Sequence, residues 1–170
     1  EDTGIVFKRV DINRNNLVHA NFKNVTSARL CSTLENSHGV KVSTVEHLLA
    51  ALYICGVDNA LVEINNEEVP IMDGSAKEFL EVLNELEIVN LPKKRKYLKI
   101  LDKVELLDGE RKKSIEPGNS TFEVDFQLDY KNKIIGRQRN KINFFTDELK
   151  DIYNSRTFCL FEDIEKLKSK

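Results

Sequence analysis

The chain has 170 residues, 41% hydrophobic and 32% charged, which supports a packed core and excludes a disordered or low-complexity protein. A formal net charge of −2 leaves no electrostatic footprint for nucleic acid. No apolar run reaches the roughly 18 residues of a membrane span, the opening EDTGIVFKRVD lacks the pattern of a secretory leader, and the scattered Cys31, Cys55 and Cys159 form neither a disulfide framework nor a CxxC knuckle, so a reducing, cytoplasmic setting is expected.

Charge is uneven along the chain: residues 1–90 hold 7 Lys+Arg against 14 Asp+Glu, and residues 91–170 hold 19 against 14. That asymmetry predicts two units, 1–92 and 98–170, joined by a basic, solvated linker over 93–97. In chain order, residues 4–10 alternate loosely and read as a strand, closed by Asn13-Arg14-Asn15-Asn16 as turn residues. Residues 25–34 read as extended and 35–39 as a turn. A helix follows, with Ser43 or Thr44 as cap, Val45, Leu48, Leu49 and Leu52 at helical spacing, and Gly56 as stop. Residues 59–64 are a short strand. Asp73 is placed to start a second helix whose apolar stripe is Ala76, Phe79, Leu80, Leu83 and Leu86.

Beyond Pro92, strands are expected over 97–101 and 104–107, the latter ahead of the hairpin-type Asp108-Gly109. Phe122, Val124, Phe126 and Leu128 alternate with polar residues and read as a half-buried strand, with another over 142–145. Short helices are expected from Thr146 or Asp147 and over 161–168. The whole reads as α+β: mostly antiparallel sheets with helices on one face.

Residues 43–52, STVEHLLAAL, pose the functional question. Glu46 and His47 are adjacent ionisable residues in the first turn of an otherwise apolar helix. One reading is local: Ser43 and Glu46 have the spacing of a capping box, and a carboxylate suits the first turn of a helix. The other is chemical. A neutral imidazole is the commonest metal ligand, and a carboxylate beside a metal can take a proton from water. Spacing alone supplies no second ligand for His47, because His19 and His38 are isolated.

STVEHLLAAL, the following DNALVEINNEEVPIMDGSA and the later SRTFCLFEDIEKLKS resemble, in order and spacing, the UDP-3-O-acyl-N-acetylglucosamine deacetylases, zinc enzymes of lipid A synthesis in Gram-negative bacteria. The resemblance runs from the first residue to the last. It implies two similar α+β domains, each a sheet with helices on one face, and a cytoplasmic enzyme that hydrolyses the acetamide of an acylated UDP-sugar. His47 then matches a zinc ligand and Glu46 the catalytic base. Thr157, in the RTF motif, matches a residue that holds the oxyanion, and Phe158 a substrate-contacting aromatic. Leu30 and Cys31 match a segment lining the site near the acyl chain. Asp73 and Gly74 are expected to be scaffold.

The departures from the family pattern are specific. Its glycine-rich first strand and its later His-x-x-x-Asp zinc-ligand motif have no counterpart here, and YKNKIIG at 130–136 replaces a common HPxIG. The resemblance therefore implies an amino-terminal portion whose second domain is incomplete and whose remaining zinc ligands lie elsewhere. A chain of that kind is expected to be inactive alone. The alternative is a non-catalytic α+β binding module.

Overall fold

Ile5, Phe7 and Arg9 on one side of an extended segment, with Val6 and Lys8 on the other, build the central strand of the first sheet. The computed structural model describes residues 2–119, 122–161 and 164. Strand β1 (Ile5–Arg9) pairs antiparallel with β2 (Leu17–His19) and parallel with β6 (Ala60–Ile64), giving the order β2-β1-β6. The β1–β2 return is closed by Asn16, whose Nδ2 donates to the carbonyls of Arg9 and Ile12 at 3.0 Å each. A parallel β1–β6 pair needs a long crossover. Here the crossover carries a second antiparallel sheet, β3 (Val25–Ser27), β4 (Thr33–Glu35) and β5 (Lys41–Val42), and then helix α1 (Glu46–Ile54).

The expected extended stretch over 25–34 is interrupted. Residues 28–32 leave the ladder between β3 and β4, and the register shifts between Val25 and Ser27. This break forms the loop beside α1.

The core follows from the apolar spacing. Phe7, Val18, Leu34, Val42, Val45 and Val69 form one buried cluster, with Leu48, Leu49 and Phe79 packed against it. Ala51, Ala76 and Leu80 form a second, joined by Phe79, Leu83 and Tyr153. Helix α2 (Lys77–Asn84) presents Leu80 inward as its stripe predicts, whereas Leu86 lies past the helix end and is exposed. Arg9 is buried with its charge paired: Nε and Nη2 donate to Asp11 at 2.8 and 2.6 Å, and Nη1 donates to the Lys41 carbonyl at 2.9 Å. A buried guanidinium needs that full set of partners.

The chain divides into two compact units, one running to Arg95 and resuming at Lys150, the other Lys96–Leu149. In the first, Arg95 donates to the Gly56 carbonyl at 2.7 Å and pairs with Asp58, so one residue of the basic run covers the carboxyl end of α1. The second unit holds the hairpin β7 (Val104–Asp108) and β8 (Arg111–Ile115), turned at Gly109 with φ +57°, and the ribbon β9 (Glu123–Asp129) and β10 (Arg137–Asn143).

Three expectations fail in the second unit. The strand expected over 142–145 is the end of β10, which stops at Asn143 with 144–146 in a turn. Residues 97–101 form no strand: they have no ladder partner among the described residues, and Tyr97 and Leu98 face solvent. The ribbon strand β9 is present but not half-buried, since Phe126 is 58% exposed and only Leu128 is partly covered. Two paired strands satisfy the backbone without covering a face. The helix expected from Thr146 or Asp147 begins later, as α3 (Lys150–Tyr153), and that expected over 161–168 falls largely outside the described residues.

Candidate functional site

Helix α1 does not start as its sequence suggests. Val45 is the N-cap residue and no side chain caps the helix. The capping box is not formed. Ser43 turns its hydroxyl to Thr33, 3.1 Å away, and Thr44 donates its hydroxyl to Glu68 Oε1 at 2.7 Å. Backbone bonds from Ser43 N to Glu67 O and from Val69 N to Ser43 O, 2.8 and 3.0 Å, hold this corner to residues 67–69. Thr44 sits at φ +58°, a region a β-branched residue rarely enters. Strain of this kind persists only where the surroundings fix it. Here they set the direction in which the first turn of α1 leaves.

Freed from capping, Glu46 reaches the interrupted loop. Its Oε2 accepts the Ser32 backbone N–H at 3.0 Å. Its Oε1 takes no hydrogen bond among the described residues. One oxygen is thus anchored and the other is available. His47 is half-buried, and its ring makes no hydrogen bond or ion pair among the described residues. Leu30 and Cys31 immediately precede the residue that holds Glu46: Leu30 is 84% exposed, while Cys31 is half-buried with Sγ 3.8 Å from Thr33 Oγ1.

The second cluster joins two motifs far apart in sequence. Thr157 donates its N–H to the Gly74 carbonyl at 2.8 Å, and Arg156 Nη2 donates to Asp73 Oδ2 at 3.1 Å. Asp73 Oδ1 accepts from the Ser75 N–H at 2.9 Å and hydroxyl at 2.6 Å, and Ser75 Oγ accepts from Lys77 N at 3.1 Å. Asp73 thus caps α2 only indirectly, through Ser75. The Ser75 hydroxyl and N–H, with help from the Arg156 charge, hold the Asp73 carboxyl below the usual carboxylate range. Phe158 is exposed, as is Thr157.

The structure therefore ties the loop that follows Leu30 and Cys31 to Glu46 at the start of α1 through Ser32, and Thr157 to the 73–75 loop. No hydrogen bond joins Glu46 or His47 to Thr157 among the described residues. Sequence reading missed Ser32 and the Asp73–Arg156 pair. A backbone donor leaves no residue signature, and partners 83 residues apart leave no spacing.

A partnerless, half-buried imidazole beside an anchored carboxylate fits one ligand position of a metal. A catalytic zinc usually takes three protein donors, and no group of three His, Cys, Asp or Glu side chains comes together among the described residues. One imidazole and one carboxylate at the head of α1 do not by themselves make a complete metal site. The fold is α+β, and its first helix opens on an adjacent carboxylate and imidazole. The sequence model of the LpxC family, UDP-3-O-acyl N-acetylglycosamine deacetylase, matches residues 1–170, and the chain belongs to that family. The family's activity is the deacetylation of an acylated UDP-N-acetylglucosamine in lipid A biosynthesis. Among the described residues no helix is long and apolar enough to cross a membrane.

Proposed function

We propose that this chain supplies the general base, one zinc ligand and an oxyanion donor for hydrolysis of the acetamide of UDP-3-O-acyl-N-acetylglucosamine, in the cytoplasm of a Gram-negative cell. The observation that carries this reading is the release of Glu46 from its own helix cap. A capping carboxylate would be turned back onto the N–H of its own helix cap. Glu46 is instead fixed through Oε2 and offers Oε1.

In the proposed reaction Glu46 accepts a proton from the attacking water as the oxygen adds to the acetamide carbon. The Thr157 hydroxyl donates to the oxyanion that develops, a contact that strengthens as charge builds. When the C–N bond breaks, the proton passes to the departing nitrogen, giving acetate and the free amine. Zinc bound at His47 and further ligands supplies a more acidic water and a polarised carbonyl. Leu30, an exposed apolar side chain on the loop that anchors Glu46, suits contact with the acyl chain; Cys31 and Phe158 complete the substrate contacts.

One imidazole holds zinc weakly, since affinity rests on several donors acting together. Residues 1–170 alone are therefore expected to lose zinc on dialysis and to release no acetate. His47→Gln, made in the zinc-loaded enzyme complete with its further ligands, tests the reading: the zinc content should fall well below one per chain. Full zinc retention in that variant would remove His47 from the ligand set, and zinc-independent binding of the UDP-sugar without turnover would favour a non-catalytic module.

A further inference from the structure

The seat of Thr157 is built from more than one hydrogen bond. A single bond, Thr157 N–H to the Gly74 carbonyl at 2.8 Å, would leave the segment free to swivel about it. The neighbouring Arg156–Asp73 contact at 3.1 Å removes that freedom. Asp73 cannot follow a swivelling arginine, because its other oxygen is gripped by the Ser75 N–H and hydroxyl. Ser75 is fully buried, and its hydroxyl is bonded to the first residue of α2. A continuous line of contacts thus runs from the head of α2 through Ser75 and Asp73 to Arg156.

We propose that Asp73 is a positioning residue for the Thr157 hydroxyl, acting through Arg156 on the segment that carries it. The proposal rests on the reading of Thr157 as oxyanion donor. Magnitude favours orientation over stability as the purpose. The Arg156 side chain is 67% exposed and that of Asp73 20%, and an ion pair with its cation in solvent contributes little to folding. A misdirected hydroxyl, by contrast, loses its contact with the developing charge. An asparagine at 73 keeps an oxygen to accept from the Ser75 N–H and hydroxyl while removing the charge that meets Arg156.

The test uses Asp73→Asn and Arg156→Gln, with Arg156→Lys as the conservative rescue. Each of the first two should raise hydrogen exchange at the Thr157 amide about three- to tenfold with the urea midpoint unchanged, as loss of one modest contact implies. In the zinc-loaded enzyme kcat should fall by a similar factor at unchanged KM, and Arg156→Lys should recover part of it. Thr157→Val removes the hydroxyl alone, and adding Arg156→Gln to it should cost nothing further. Unchanged exchange at Thr157 in Arg156→Gln, or losses that multiply in the double variant, would overturn the positioning role. Full activity in Thr157→Val would instead sink the oxyanion reading, whatever the exchange shows.

Discussion

Replacing Gly74 with alanine isolates a conformational cost beside the proposed site. Gly74 has φ +85°, and a Cβ built there would meet nothing nearer than Thr157 Cγ2 at 3.5 Å and the Thr157 N and O at 3.9 Å. Those are ordinary contacts, so overlap contributes nothing. What is left is the cost of an L side chain in the left-handed region, about 1–2 kcal/mol. The loop is pinned on both sides, by Gly74 N to Ile71 O at 2.9 Å and by the Asp73–Ser75 bonds, and it cannot relax locally. Urea unfolding of Gly74→Ala should therefore show a loss of about 1–2 kcal/mol through a lower midpoint at unchanged slope. Exchange at the Thr157 amide should change little. Asparagine, which tolerates this region better, should recover part of the loss. A loss below about 0.3 kcal/mol would refute the claim that the pinned turn holds position 74 in the left-handed region.

Other outcomes follow from the same contacts. Phe7 is fully buried among Val18, Leu34, Val42, Val45 and Val69, and Phe7→Ala should destabilise by about 3–5 kcal/mol in urea unfolding; a loss under about 1.5 kcal/mol would mean the cluster is not the core of the first unit. The Asp73 carboxyl is held low by Ser75 and Arg156, so its contribution is complete above the unfolded value of about 3.9 and disappears as pH falls through the lower folded value. Protection of the Thr157 amide should then be flat from pH 7 to about 4 and decline only below that; a decline beginning near pH 6 would implicate another group.

Much of the first unit was legible because its signals are local. The loose alternation at 4–10 gave β1, Gly56 at φ +70° ended α1 where expected, and the Asp108-Gly109 dipeptide marked a hairpin. The start of α1 was misread for a physical reason. Ser43 and Glu46 carry capping-box spacing, but Thr44 and Ser43 are claimed by β-sheet neighbours and Glu46 by a backbone N–H, and tertiary partners outweigh a local preference worth about 1 kcal/mol. Alternation at Phe122–Leu128 correctly gave a strand but not its burial, which depends on a covering face rather than on the strand's own pattern. Of the candidate site, Glu46 and His47 could be flagged from chemistry, and Thr157, Phe158, Leu30 and Cys31 only from resemblance. The docking of Arg156 on Asp73 was invisible to both.

The most direct measurement is acetate release by the zinc-loaded enzyme carrying Glu46→Gln, an isosteric change that keeps an oxygen for the Ser32 N–H but removes the base. With Glu46 as proton acceptor, kcat should fall by about 10²–10⁴-fold while zinc content and KM stay at the unsubstituted values. A fall of less than about threefold would show that the carboxylate at the head of α1 takes no part in the chemistry.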